Sequence, residues 1–579
     1  MVSWVSVRKK ALVHCSIGIL WLALPPGVGA VENGVYGSLV FTELMLDPEP
    51  CVGLPPVEYV EVLNRTRDTL DLRGWLFGYA DKVYSCPSCK LPPGAYALLC
   101  GKEAATHLNI TCPVLALSPF PALANTDRVI WLGTPQGQVV NALHYQQAWY
   151  GSGFKEEGGW SLECLDTDNL SGNGANWTAS VDSTGGTPGR PNSVRRSNPD
   201  NTPPRVTRLA LPDSITVELL FSKGLKPDLA GDPSRFQLWG GQAFVTEAVV
   251  LAPLFQRVSL KLSQPLKAGV SYELVLSGLI SLSDVVMGDT CMAAGLPQKP
   301  DSFGLSVNEL LFNPVGEGYD YVEVVNRSAR CVDLSMVCVT SRTEDGRFKA
   351  AVRLATERIP AMPGSYWVLS SAGDALAEAW AADSLGRFLT LPSIPSLPDD
   401  KGNLVLLTID GRVIDEVNYS ATWHQELMSE KEGVALEKIH PDMPSIEADS
   451  WVSASYLSGY GSPGLCNTQY RAVAVRKVEP ITLEQPWLTP NGDGDSDALC
   501  LGLALDQPAQ VSVTVYDLAG RPVRHWLRNR WLGPHDQCCW DGTDNQGRLL
   551  PQGRYVLLAS LCRPDGWVHQ AKWGISLWW

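Results

Sequence analysis

The feature that most constrains this chain is that it carries one long pattern twice. The segment Thr42-Glu43-Leu44-Met45-Leu46-Asp47-Pro48 returns as Asn308-Glu309-Leu310-Leu311-Phe312-Asn313-Pro314, and EYVEVLNRT from Glu58 returns as DYVEVVNRS from Asp320. The order then holds in register. LDL at Leu70 matches VDL at Val332, and VIWLGTPQGQVVNALHY ahead of Trp149 matches LVLLTIDGRVIDEVNY ahead of Trp423. WSLECLD from Trp160 matches VALEKIH from Val434, Trp177 matches Trp451, and GTPGRPN from Gly186 matches GSPGLCN from Gly461. An ordered match of this extent means two copies of one domain.

Each copy is written in short alternating runs, such as Tyr59-Val60-Glu61-Val62 and Tyr321-Val322-Glu323-Val324, bounded by Asn, Gly and Pro. That is the pattern of strands in a two-sheet sandwich. Between the copies, NPDNTPP at 198–204 is a polar, proline-rich joint within a linker over 194–204. After it, ITVELLFSK from Ile215, VSLKLS from Val258 and SYELVLSG from Ser271 are period-two runs with no helical interval, so 205–300 reads as a further sandwich. The chain has 579 residues, too many for one core. The fold class expected is all-β, as tandem immunoglobulin-like β-sandwiches over 37–193, 205–300, 303–467 and 474–579.

The ordered set E-L-x-x-x-P, Y-V-E-x-x-N, D-L, G-x-V-x-x-x-x-Y, S-L-E or A-L-E, a Trp and T/S-P-G-x-x-N resembles the lamin-tail domain of bacterial exported proteins, over 37–193 and 303–467. The resemblance implies an immunoglobulin-like sandwich with a binding or scaffolding role, often beside a separate nuclease or hydrolase. The 205–300 stretch resembles, more loosely, bacterial immunoglobulin-like surface modules. In the tail, TPNGDGDSD from Thr489, VSVTVYDLAGRPVR from Val511, WDGTDNQGRLLPQGRYVLLASL from Trp540 and WGISLWW from Trp573 resemble the gliding-motility-associated, type IX secretion sorting domain of Bacteroidota. Its YDLAGR element is closer to the flagellar hook-capping immunoglobulin-like module. The resemblance implies outer-membrane secretion machinery as a partner.

The start, MVSWVSVRKK followed by ALVHCSIGILWLALPPGVGA, has a basic region, an apolar stretch and a small-x-small site at Val28, Gly29 and Ala30, the layout of a signal peptide over 1–30. No later window reaches 18 uninterrupted apolar residues, so no transmembrane span is expected in the mature chain. Formal charge is −15, and −18 once Arg8, Lys9 and Lys10 leave with the leader, which argues against a nucleic-acid partner. Fourteen cysteines besides Cys15 in an exported chain read first as disulfides. Cys86-Pro-Ser-Cys89 is assigned to a structural bridge, and Cys291, isolated in its domain, to a bridge with Cys331, Cys338 or Cys466.

No H-E-x-x-H, G-x-S-x-G, Walker A or dinucleotide fingerprint appears, and the eight histidines are scattered. Glu43 with Glu61, and Glu309 with Glu323, have the composition of acid/base pairs. Their place inside strands favours solvent-facing positions, or carboxylates receiving hydrogen bonds from neighbouring turns. Asn491, Asp493, Asp495 and Asp497 put oxygen ligands at every second position with Gly between, which suits a hard cation such as calcium, although the downstream Glu of an EF-hand is missing. The competing reading is an Asx-rich turn without metal. Trp75, Trp149, Trp177, Trp423 and Trp451 recur at motif positions and read as core. Altogether the sequence implies an exported, non-enzymatic protein of the outer-membrane surface or extracellular space, binding a surface protein or glycan. The alternative is an accessory subunit or undetected hydrolase acting on polysaccharide or nucleic acid.

Overall fold

The computed structural model describes residues 36–579 except 109, 173, 317, 381–386, 429, 472–478 and 506, so the leader lies outside the described residues. The chain divides into two compact units, one ending at Ala294 and one beginning at Gly295. Almost all regular structure is strand, and the expected all-β class holds.

The two repeats share one topology. In the first, a six-stranded sheet runs Trp177–Ala179, Leu162–Cys164, Leu39–Met45, Tyr59–Asn64, Tyr96–Gly101, Val114–Leu117. In the second, the same order runs Trp451–Ser453, Leu436–Lys438, Leu305–Leu311, Tyr321–Asn326, Tyr366–Ser370, Phe388–Thr390. Both sheets end in a parallel pair, and both carry a bulge at the residue before the first Glu, Thr42 in one and Asn308 in the other. A four-stranded sheet closes each sandwich, and Leu39, Phe41, Leu44, Val60 and Val62, or their counterparts Leu305, Val307, Leu310, Val322 and Val324, fill the space between the layers. The expected aromatic core recurs in detail: Trp149 stacks on Trp177 at 6.2 Å and Trp423 on Trp451 at 6.3 Å, both with rings tilted by 27°.

One property of these sheets departs from a half-solvated strand. Leu39–Met45, Tyr59–Asn64, Leu305–Leu311 and Tyr321–Asn326 are buried at every position, so the outward face is covered as well as the inward one.

The middle sandwich packs Val206–Ala210, Thr216–Phe221, Arg257–Leu262 and Val245–Leu251 against Phe236–Trp239, Tyr272–Leu276 and Thr290–Ala294. Its last strand ends at Ala294, and it includes the short helix Pro227–Ala230, where Pro supplies a favourable first-turn φ. The joint before it is anchored. Lys223, 4% exposed, donates to both carboxylate oxygens of Asp200 at 2.7 and 2.8 Å and to Thr202. Burial alone would push the Asp200 carboxyl up, and the hydrogen bonds from Lys223 and Thr202 more than offset it, leaving it below its ordinary value.

The last sandwich sets Ile481–Leu483, Leu499–Leu503 and Gln537–Trp540 against a five-stranded sheet of Trp487–Leu488, Val568–Leu577, Gly553–Cys562, Ala509–Tyr516 and Pro522–Leu532. The alternation is complete in Ala509–Tyr516, where every second residue is buried.

The cysteines depart from the disulfide expectation. Among the described residues one bridge forms, Cys500–Cys539, between directly paired strands, and twelve cysteines are free. Half of the free thiols are buried as small apolar side chains; burial pushes those of Cys86, Cys164, Cys331 and Cys538 up to about 12, where they are unreactive. Cys291 forms no bridge to Cys331, Cys338 or Cys466. It lies on an outward position of Thr290–Ala294 and donates to Glu273.

Candidate functional site

The carboxylates singled out by the repeat are not solvent-facing. Glu43, Glu61, Glu309 and Glu323 are each 0% exposed, and each pair is joined by a third glutamate, Glu163 or Glu437, equally buried. Glu43 stands directly opposite Glu61 on one neighbouring strand and Glu163 on the other, and Glu309 stands in the same way between Glu323 and Glu437. Each repeat therefore holds a row of three acids across the outward face of its large sheet.

What covers the row is the T/S-P-G-x-x-N segment, which crosses the sheet as a strap. Glu43 accepts from the Tyr59 hydroxyl (2.7 Å), the Ser161 hydroxyl (2.6 Å) and the Thr187 amide (2.8 Å). Glu61 accepts from Thr42 Oγ1 (2.7 Å) and the Gly189 amide (2.6 Å), and Glu163 from Thr187 Oγ1 (2.8 Å), Ser193 Oγ (2.7 Å) and the Val194 amide (3.2 Å). Asn192 completes the strap by donating to the carbonyls of Thr42 and Cys164, both at 2.8 Å.

The second repeat reproduces this arrangement except at Ser161, whose place is taken by Ala435, which has no side-chain donor. Glu309 accepts from Tyr321 and from the Ser462 amide, Glu323 from Asn308 Nδ2 (2.8 Å) and the Gly464 amide (2.6 Å), and Glu437 from Thr468 Oγ1 (2.7 Å) and the Gln469 amide (2.8 Å). The bulge residue is Thr in one copy and Asn in the other, and both reach the same carboxylate. Gly189 and Gly464 have φ of +81° and +84°, and a side chain at Gly189 would press on Cys112 Sγ, so the motif's glycine is required twice over.

The hydrogen bonds also count protons. Ser462 Oγ lies 3.0 Å from Glu309 Oε2 and 2.9 Å from Glu437 Oε1, and one hydroxyl proton can serve only one of them. The other contact is a hydrogen bond only when a carboxyl holds the proton. Burial pushes Glu43 up to about 7 and Glu437 up to about 8, and raises Glu61, Glu309 and Glu323. These are neutral or proton-sharing acids in a dry row, and a general base needs a reachable substrate. Chemically, the row fixes a strap.

A second buried set was not legible in the motifs. Lys438 Nζ donates to Ser306 Oγ and Ser445 Oγ, both at 2.7 Å, and Asp415 accepts from Ser445 Oγ and the Val307 amide at the same distance. Burial lowers Lys438 to about 8. The residue types match a serine–lysine nucleophile, but Lys438 and Ser306 are 0% exposed and Ser445 4%, so the set works as a polar core. The signal was the Lys of ALEKIH in the place of Cys164, and it is read only once Asp415 and Ser306 are seen beside it.

Asn491, Asp493, Asp495 and Asp497 do share one exposed loop. Asp497 accepts from the Gly492 and Gly494 amides (2.7 and 2.8 Å), Asp493 from the Asp495 amide (2.8 Å), and Asn491 from the Asp493 amide (3.0 Å). These are Asx turns. Among the described residues no three His, Cys, Asp or Glu side chains converge in a way that could hold a metal, so the donor set suits a hard cation while the arrangement is that of a turn.

No family model matches the chain, and no curated protein matches it. Among solved structures, similarity is found to the bacterial S-layer protein SbsC (10% identity, 65% of this chain and 54% of that one, TM-score 0.16). It is also found to a tetra-tandem repeat from the extending region of a large adhesion protein (10% identity, 93% and 99%, TM-score 0.12) and to PorZ, a surface component of the type IX secretion system of Porphyromonas gingivalis (10% identity, 89% and 68%, TM-score 0.16). The chain thus spans about half the length of the S-layer protein. The functional reading rests on this chain's own residues.

The acid rows make stability depend on pH with a definite sign. Glu43 and Glu437 titrate above the ordinary 4.5, so the native chain keeps protons the unfolded chain has released. The contribution is complete below about pH 4.5 and is lost as pH rises through about 7 for Glu43 and about 8 for Glu437. The unfolding free energy from urea denaturation should therefore fall between about pH 5.5 and pH 8, by about 2 kcal/mol from Glu43. Glu43→Gln with Glu437→Gln should flatten the profile, and a wild-type midpoint independent of pH would contradict this account.

Proposed function

We propose that the chain is an exported, non-enzymatic scaffold of the outer-membrane surface or extracellular space that binds a surface protein or glycan. In this reading 37–193 and 303–467 are lamin-tail-like modules and 474–579 is a sorting-type domain. The observation that carries it is the commitment of all six repeated glutamates to holding straps, which makes each repeat a locked building block rather than a cleft. The anchored joint at Lys223 and Asp200 supports the same view, since it ties the linker to the middle sandwich.

A glycan array and a protein cross-linking screen with the mature chain on whole cells should return a saturable ligand. Hydrolysis of polysaccharide or nucleic acid by the purified chain would replace this reading with the enzymatic one. Deleting 474–579 should leave a leader-processed protein in the periplasm, whereas unchanged surface display of the truncated chain would make the tail one more binding module, as its hook-capping likeness suggests.

Calcium belongs to this reading as a proposed stabiliser of the tail. Binding at Asn491, Asp493, Asp495 and Asp497 would exchange the Asx hydrogen bonds for metal–oxygen contacts, and an exposed loop of this kind binds weakly, at about 10⁻⁴–10⁻³ M. Millimolar calcium should raise the melting transition of the C-terminal sandwich in the full chain, and Asp493→Ala with Asp495→Ala should remove the shift. Identical melting in calcium and chelator would return the loop to a plain turn.

A further inference from the structure

We propose that the outward face of the five-stranded sheet in the C-terminal sandwich binds a uronate-bearing polysaccharide. This rests on the surface-binding reading above and gives it a site and a ligand class. The five strands of that sheet contain no Asp or Glu, although the chain as a whole has a formal charge of −15. Solvation is served by interspersed charges of both signs, so a face of one sign on an acidic protein suits a partner of the opposite sign.

The groups available to such a partner are accessible and uncommitted. Leu488 and Leu577, each 1% exposed, point into the core, which turns their neighbours Trp487 and Ser576 outward. Buried Tyr555 does the same for Arg554. Trp487 and Arg554 stand opposite Ser576 on its two sides, so the three form one row across adjacent strands. Trp487 is 49% exposed. Trp578, 53% exposed, lies two residues beyond Ser576, and its amide carries the pairing on by donating to the Leu488 carbonyl at 3.1 Å, so alternation adds a second ring to this face. Arg554 and Lys572 are both exposed, and among the described residues neither has a hydrogen-bond or ion-pair partner. Lys572 is four residues before Ser576 and shares its face; Gly574 between them leaves an open trough, since a Cβ there would meet nothing within 4 Å. Asp517 and Asp544, in turns flanking the strands, are bonded to Arg521 and Arg548 of those same turns and do not draw on the free cations.

This combination selects among anions. An exposed indole face stacks on the C–H face of a pyranose, a guanidinium meets a carboxylate through two parallel hydrogen bonds, and the Ser576 hydroxyl between them can donate or accept. Trp487 and Arg554 are two strand spacings apart, about 10 Å at the backbone, so a chain of several sugars is needed to touch both. A nucleic acid would offer a stacking base as well, but its dense phosphates call for many more cations than these two.

Calorimetric titration of the full chain with oligomers of galacturonate, alginate and hyaluronan tests the face, with the methyl ester of each and oligothymidylate as controls. Saturable binding of at least one uronate oligomer is expected, weakening as salt rises from about 0.01 to about 0.15 M because screening contracts from about 30 to about 8 Å. Esterification, which removes the charge and keeps the sugar, should abolish it. Arg554→Gln with Lys572→Gln should weaken binding by roughly tenfold or more, and Trp487→Ala severalfold. All three positions are on the surface, so each variant should keep wild-type circular dichroism and melting. The proposal is overturned by an absence of saturable heat with all three uronates, by equal binding of the esters, by wild-type affinity in both variants, or by tighter binding of oligothymidylate. Such a failure beside a saturable ligand in the array or cross-linking screen removes this face alone, whereas failure of both removes the surface-binding reading as well.

Discussion

Three glutamates side by side on adjacent strands, under a face that water does not reach, must find their hydrogen-bond donors elsewhere in the chain. In both repeats the donors come from a strap more than twenty residues beyond the last of the three acids, from a bulge residue next to the first, and from a tyrosine two residues before the acid opposite it. Leaving a buried carboxyl without donors is costly, so the sheet, the bulge and the strap have to form together. This dependence accounts for the motif's residue types: Thr or Ser to bond two acids, Gly for positive φ and close approach, Asn to bridge two strand carbonyls.

The inner layer is less constrained than the outer one. Beneath the same strap, Val40, Cys164 and Asn141 of the first repeat are replaced by Ser306, Lys438 and Asp415, turning an apolar and thiol environment into a charged, hydroxyl-bridged one. Asn141 and Asp415 nevertheless keep one task, accepting from the backbone amide of Phe41 or Val307. A polar core of this kind survives because each of its groups has a partner.

The second strap also carries load at its far end. Thr468, which bonds Glu437, lies against Gly533, and Ser455 of the adjoining loop donates to Asp536, which also accepts from the Gly533 amide. Arg530 lies 4.2 Å over the Tyr456 ring beside it. The C-terminal sandwich is thereby seated on the element that the acid row holds.

The sequence by itself determined the number of repeats, their register and the all-β class, because side-chain alternation and turn residues are local and the repeat displays them twice. It also placed Trp149, Trp177, Trp423 and Trp451 in the core, since aromatic residues recurring at motif positions have little other use. Burial of Glu43, Glu61, Glu309 and Glu323 was not legible, because period-two alternation tells which face a residue takes and not whether another segment later covers that face. The partners Glu163 and Glu437 were hidden for the same reason, lying far along the chain from the acids they join. Cysteine pairing failed as a reading because an even count speaks of compartment, whereas a bridge needs two strands to bring sulfurs together, as they do for Cys500 and Cys539. What only the tertiary structure decided is therefore which polar groups lost their water, and that is set by long-range covering rather than by any local pattern.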